Sequence, residues 1–335
     1  MSTTAGAINE TLLQNLRRRA DALMFDEMIK LQFQPKIDSI SAIQRLMTAQ
    51  LGELKQKDKT LTIELEWMNA CGITTQACTP CTVGGTEIST NTETYTIGQC
   101  REVAFTIPRY KFLTNDFGWE EATAKARLKA DVELSEYVNQ YFVAWLASIG
   151  GTNQWTGDAT TATVTATETQ IALANYNANI VAYLTKVATF NDFRNPLMIS
   201  GDLLYNAYVN AQFQAGNFPY ADQVKRFGAM DWMWDLWNFN ALGLNAYQMM
   251  VNQGAIAFVS KSLYGPTPIV IGDTMMGWSE NSRFVPGMIL EYKMKQVCEN
   301  DLPTDQYSVT IRFDFFQNPE GCTANKNGVL LFHQV

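Results

Sequence analysis

Apolar positions in the first sixty residues fall at helical intervals. Ile8, Leu12, Leu16, Leu23 and Met24 predict an amphipathic helix over residues 8–33, with Pro35 marking its end. Ile40, Ile43, Leu46, Leu51 and Leu54 predict a second helix from about Ser39, with Asp38 and Ser39 as candidate N-caps. The pair reads as a helical hairpin, or as an arm that buries its stripe on the chain itself or on a neighbouring subunit. The pattern then changes period. Leu61 to Trp67 alternates as a strand, and Thr94–Ile97 and Val103–Ile107 alternate again. These runs predict a long β-hairpin around a polar tip at about Ala70–Asn91. Leu128, Val132, Val138, Phe142, Trp145 and Ile149 return to helical spacing. Neither Pro nor Gly interrupts Trp119–Ile149, and Gly150-Gly151 ends the run. Such a helix is roughly 45 Å long at 1.5 Å per residue and needs a broad surface to lie on.

Beyond a Thr/Ala/Gly-rich linker at 150–167, the pattern predicts a helix over 168–189, with Thr167 or Glu168 near its cap. Pro196–Ser200 reads as a buried strand, and Gly201-Asp202 opens a helix containing Leu203, Leu204, Tyr208 and Val209. Gly254–Ser260 reads as another buried strand. Apolar strands alternating with helices predict an α/β region with helices packed on a sheet. From 283 to 316 the pattern is β again, with long strands at Met288–Met294 and Tyr307–Phe316, and Gly328–Phe332 closes the chain.

Composition sharpens this picture in one respect. Of 335 residues, 47% are apolar but only 17% are charged, against about 25% in an ordinary soluble domain. A surface so poor in charge is either covered by a partner or made of uncharged polar residues. The formal net charge of −8 excludes a generally basic nucleic-acid binder, and 12% aromatic residues exclude disorder. No secretory h-region follows Arg17-Arg18-Arg19. The longest uncharged run, Leu236–Ser260, is broken by Asn238, Asn240, Asn245, Gln248, Asn252 and Gln253, so no membrane span is expected. These two readings predict a chain made and folded in the cytosol.

Candidate chemistry is sparse. His333 is the only histidine. It reads as an exposed tail residue, with a dyad to Cys298 or Cys322 as the sharper alternative. No nucleophile elbow, phosphate loop, dinucleotide fingerprint or metalloprotease motif is present, so no enzyme and no cofactor are expected. Four of the six cysteines fall in the hairpin: Cys71, Cys78, Cys81 and Cys100, separated by six, two and eighteen residues. They are candidates for disulfides, for a four-thiolate zinc site, or for unlinked thiols. The stretch from Thr60 to Cys100 contains no Lys or Arg. Asp231 to Phe239 concentrates Trp232, Trp234, Trp237 and Phe239; alternation there places Trp232, Trp234 and Leu236 on one strand face, for a core or an interface. Trp67, Ile97, Phe105, Trp232, Trp234 and Trp237 are the candidate interface residues. Arg17, Arg18 and Arg19 are candidate phosphate contacts, with salt bridges to Asp21 or Asp26 as the alternative.

The order of elements resembles the major capsid protein of tailed double-stranded DNA phages, the Hong Kong 97 fold. Pro196-Leu-Met-Ile-Ser-Gly-Asp-Leu-Leu204 and Gly254-Ala-Ile-Ala-Phe-Val259 resemble strands and a helix of that family's A-domain. Phe313-Asp-Phe-Phe-Gln-Asn-Pro-Glu-Gly-Cys322 and Asn327-Gly-Val-Leu-Leu-Phe332 resemble capsid C-termini from phages of Bacteroidetes hosts. The resemblance implies an α+β fold divided into an N-terminal helical arm (1–59), an E-loop hairpin (60–116), and a P-domain spine helix with linker (117–167). The A-domain (168–282) follows, then P-domain strands and the C-terminus (283–335). It implies a structural protein whose pentamers and hexamers tile an icosahedral shell around packaged double-stranded DNA, assembled in the bacterial cytoplasm. The implied partners are further copies of itself, a portal, separate scaffolding and decoration proteins, and weak non-specific contact with DNA, without a membrane. About 60 residues precede the hairpin, so no fused, cleaved scaffold is expected. The family's Lys–Asn cross-link is not expected either, because the hairpin lacks Lys; its cysteines are the candidates for reinforcement. Alternatives are an encapsulin-like nanocompartment, a jelly-roll capsid, a tail or adhesion protein, and a Cys/His enzyme. The long helix argues against the jelly roll.

Overall fold

The structure is a computed structural model that describes residues 33–47, 61–69, 89–112, 118–151, 159–176, 179–193, 195–206, 224–227, 230–271, 275–299, 302–317 and 328–335, with positions 15, 18 and 155. Helices are α1 (Asp38–Met47), α2 (Trp119–Ser148), α3 (Asn179–Phe190) and α4 (Leu236–Ala241). Strands are β1 (Thr62–Asn69), β2 (Ser89–Thr96), β3 (Gln99–Pro108), β4 (Ala162–Val164), β5 (Thr169–Ile171), β6 (Leu197–Ser200), β7 (Val224–Phe227) and β8 (Met230–Trp234). They continue as β9 (Tyr247–Val251), β10 (Ile256–Ser260), β11 (Ile269–Ile271), β12 (Met275–Asn281), β13 (Ile289–Glu299), β14 (Leu302–Gln317) and β15 (Val329–Gln334). This is a mixed helix-and-sheet protein. The described residues form two compact units, one drawn from the ranges 1–36, 97–138 and 259–314, the other from 37–96, 139–258 and 315–335.

The first unit is built on a six-stranded sheet in which β10, β14, β13, β12 and β11 follow in order and β3 also pairs with β14. β13 and β14 form a long antiparallel hairpin from Glu299↔Leu302 to Leu290↔Ile311. β3 runs antiparallel to β14 from Thr304↔Pro108 to Phe313↔Gln99. Both cover the same stretch of β14, so they lie on its opposite edges. Alternation sends Tyr292, Met294, Tyr307, Val309 and Ile311 into the core. Residues 119–138 of α2 contribute Ala124, Leu128, Val132 and Leu134 to it.

The second unit carries a seven-stranded sheet in the order β4-β5-β15-β9-β6-β8-β7. The β5–β15 and β6–β8 pairs are parallel; the other pairs are antiparallel. α3 lays Ile180, Leu184 and Val187 on Met198, Trp232, Met250, Leu330 and Phe332, and this is the apolar core of the unit. The same unit holds a separate two-stranded ribbon, β1 with β2, in register from Thr62↔Thr96 to Asn69↔Ser89.

Several expectations change. The hairpin's return strand is two strands, split at Ile97-Gly98: β2 pairs with β1, and β3 belongs to another sheet. Thr169–Ile171 is a strand where a helix is predicted. Thr169 and Ile171 are buried and Gln170 is not, a period-two pattern created by pairing with β15 about 160 residues away; the helix starts only at Asn179. The linker contains β4. Alternation through the tryptophan run stops at Trp234, because Asp235 caps α4 by accepting from the Asn238 amide; Leu236 then lies on a helix. The final β region starts at Ile269, fourteen residues before 283. The helix expected over 8–33 lies outside the described residues except Asn15 and Arg18, both helical. The hairpin tip, Leu51, Leu54, Tyr208 and Val209 also lie outside them.

Candidate assembly surfaces

α2 is where local sequence and tertiary structure meet most tightly. A row of polar residues four apart, Arg127, Asp131, Ser135 and Asn139, is buried along with its apolar positions. Each row member has an assigned partner. Arg127 Nη2 donates to Glu280 Oε1 at 2.5 Å, and the Trp278 indole donates to the same oxygen at 2.9 Å. The Arg127 guanidinium lies 4.5 Å over the Tyr292 ring. Burial works against its charge, but Glu280 and the neighbouring rings outweigh that, so its pKa is raised. Asp131 accepts from Ser282 Oγ at 2.6 Å and from the Arg283 amide at 2.9 Å, and Ser135 donates to it at 3.3 Å. Burial raises the Asp131 carboxyl pKa despite these donors.

The row's last member joins a second cluster. Asn139 Nδ2 donates to Asp235 Oδ2 at 3.0 Å, and Asn139 Oδ1 accepts from the Ile40 amide at 2.8 Å. Ser39 donates to Asp235 Oδ2 through Oγ at 2.5 Å and through its amide at 3.4 Å. The Asn238 amide and side chain donate to Oδ1 at 3.1 and 2.8 Å. Two helix N-termini, those of α1 and α4, thus converge on one fully buried carboxylate, which their dipoles favour. The start of α1 is therefore fastened to its own chain, with Ile37, Ile40 and Ala42 buried.

The predicted site residues fall into distinct environments. Trp232 is fully buried in the core of the seven-stranded sheet, and Ile97 is buried as well. Both are used inside the subunit and leave no surface for a partner, because tertiary packing claims them. Phe105 is half-buried and stacks on Tyr307 with centroids 5.1 Å apart. Trp234 is half-buried against Tyr205 at 5.5 Å. Trp237 is 56% exposed on α4. Trp67 lies on β1. Cys100 is an exposed, free thiol on β3, as is Cys298 on β13; Cys71, Cys78, Cys81 and Cys322 lie outside the described residues. Arg18 is helical and exposed, while Arg17 and Arg19 are outside the described residues. His333 lies inside the sheet rather than in a free tail. Its ring stacks on Tyr247 at 4.2 Å and its Nδ1 lies 3.2 Å from Glu168 Oε1. Gln170, the larger influence, and His333 both stabilise the Glu168 carboxylate and lower its pKa. Among the described residues, no three His, Cys, Asp or Glu side chains gather to hold a metal ion, and no helix is long and apolar enough to cross a membrane.

Three features face outward. The β1–β2 ribbon pairs Glu64 with Thr94 and exposes Thr92 and Thr94. A trough of about 420 Å³ crosses the polar face of the six-stranded sheet, lined by Glu102, Thr106, Lys293, Lys295, Gln306 and Ser308. At the β11 end of the sheet Ile269 and Val270 are exposed. None of these three surfaces assembles a nucleophile with a base among the described residues. Sequence pattern missed the buried polar row and the Asp235 cluster. The available signal for the row was the four-residue interval of polar positions along α2.

No family model matches the chain, and no curated protein matches it. Among solved structures it is similar to a chain of Mycobacterium phage Che8, at 10% identity over 88% of this chain and 90% of that one, with a TM-score of 0.44. It is similar to the capsid structure of the cyanophage P-SCSP1u, at 11% identity over 86% and 88%, with a TM-score of 0.48. It is also similar to the mature capsid of bacteriophage PhiM1, at 10% identity over 83% of each chain, with a TM-score of 0.45.

Proposed function

We propose that this chain is a structural shell subunit, the major capsid protein of a tailed phage with the Hong Kong 97 fold. The observation that carries the reading is the β1–β2 ribbon. It forms a two-stranded sheet that no third strand joins among the described residues, and a lone ribbon of this kind is at best marginally stable in water. A neighbouring copy supplies the missing surface. The low charge fraction, 17%, and the order of ribbon, thirty-residue helix and closing strands support the same reading.

In that shell, residues 60–116 are the E-loop laid over a neighbour, 1–59 the arm, 117–167 the spine helix and linker, 168–282 the A-domain at the capsomer axis, and 283–335 the closing P-domain strands. Pentamers and hexamers assemble in the bacterial cytoplasm, with a portal and separate scaffolding and decoration proteins, and enclose double-stranded DNA. An acidic chain suits a container that holds DNA without gripping it. Cys71, Cys78, Cys81 and Cys100 reinforce contacts between copies as disulfides or metal ligands. Non-reducing electrophoresis of particles tests the disulfide form, and monomer alone removes it.

Negative-stain microscopy of the expressed chain, alone and with its scaffolding partner, is the decisive experiment. Closed icosahedral shells are expected. Tubes, fibres or only dispersed monomer overturn the reading, and shells that never contain nucleic acid replace it with a nanocompartment.

A further inference from the structure

β11 ends the six-stranded sheet and pairs, among the described residues, only with β12. Ile269 stands opposite Gly277 and Val270 opposite Met276. Successive residues face opposite sides of a sheet, yet Ile269 is 47% and Val270 70% exposed. Neither side of the strand is covered. Ile271 instead folds over Gly277, where an added Cβ would lie 2.4 Å from Ile271 Cδ1. Nearby, Leu263 is 46% exposed, and no charged residue occurs from Ser262 to Gly272.

Sheet edges of monomers are guarded by charge, proline or bulges. The stretch before β11 has that protection. The Ser279 amide donates to the Gly265 carbonyl, so the chain already runs beside β12 there. Pro266 and Pro268 remove donors from that stretch. The guard stops at Ile269 and leaves a window of three β-branched residues.

We infer that β11 pairs with β11 of a second copy, antiparallel about a two-fold axis centred on Val270. Such a pair sets Val270 against Val270 and Ile269 against Ile271. A symmetric contact juxtaposes each residue with its equivalent, and like charges opposite one another repel. An uncharged edge meets that condition and offers no counter-charge to an acidic or basic partner. The pair is short and buries roughly a few hundred Å², well below the roughly 1,200 Å² of a stable interface. It therefore closes only as one of many contacts in a shell, where neighbouring contacts supply the effective concentration. The inference thus rests on the shell reading.

The test uses full-length Val270→Lys, Val270→Asp and Val270→Thr chains, expressed singly and with the two charged variants together. Because Val270 is exposed, all three keep the wild-type urea midpoint of the subunit. Each charged variant alone loses the particle fraction in sedimentation, Val270→Thr keeps it, and co-expression of Lys and Asp variants restores particles containing both. Particles from either charged variant alone at wild-type yield, or no recovery in the mixture, overturn self-pairing while leaving the shell reading intact. A wild-type chain that forms no particles overturns the shell reading itself, and self-pairing with it.

Discussion

Asp235 concentrates more structural consequence than any apolar residue around it. It accepts from Ser39, Asn139 and Asn238 while fully buried. Asp235→Ala leaves these donors buried without an acceptor, at about 1–3 kcal/mol for each unsatisfied group. A loss of about 3 kcal/mol or more is expected, read as a lower urea midpoint at unchanged slope. Asp131 gives a pH signature. Burial raises its pKa above the ordinary value, so the folded chain holds the proton more tightly than the unfolded one. Its contribution is fully present below the ordinary carboxyl pKa and is lost as pH rises through the raised folded value. Asp131→Asn should flatten this part of the stability–pH curve above the ordinary carboxyl range; an unchanged curve would show that Asp131 does not produce it. Glu168 acts with the opposite sign, losing its contribution as pH falls through its lowered folded value. None of these roles was legible from residue type. A buried Asp and a surface Asp are the same letter, and only the i, i+4 row on α2 hinted at the difference.

At the scale of elements, legibility followed locality. α2 was readable to within a residue, because thirty positions of helical spacing end at a double glycine. β13 and β14 were readable from alternation over Met288–Met294 and Tyr307–Phe316, but their extension to Glu299 and from Leu302 was not. β5 was not, since three residues become a strand only beside β15, and α4 was not, since Asp235 ends β8 and starts the helix in one step. Packing between distant elements yields two predictions. Phe315 on β14 touches Phe142 at 4.8 Å, Phe258 at 5.1 Å, Trp145 at 5.6 Å and Tyr141 at 6.2 Å. Phe315→Ala removes the shared member of this cluster and should cost about 3–5 kcal/mol in chemical denaturation. Gly328 enters β15 against Ala255, where an added Cβ would lie 2.3 Å from the Ala255 Cβ. Gly328→Val should therefore destabilise by about 1–3 kcal/mol through overpacking, while Gly328→Val with Ala255→Gly recovers part of the loss.

For the whole molecule, charge decides the response to salt. Each chain carries a formal −8, so bringing many copies together, as the proposed shell requires, concentrates like charge, and only 17% of residues are charged to offset it. Raising ionic strength shortens the Debye length from roughly 30 Å at 0.01 M to about 10 Å at 0.1 M. That screens the repulsion between subunits but scarcely touches apolar contacts such as an uncharged sheet edge. Assembly of purified subunits should therefore improve between 10 and 200 mM NaCl, measured as the particle fraction in light scattering or sedimentation. A shell held instead by basic side chains on nucleic acid would respond in the opposite direction, because salt weakens phosphate contacts steeply through counterion release. The sign of the salt dependence thus separates the two sources of cohesion. Improvement with salt places cohesion in contacts between chains and leaves DNA as cargo. Loss of particles with salt would place it in DNA contacts, with Arg17, Arg18 and Arg19 the first residues to neutralise.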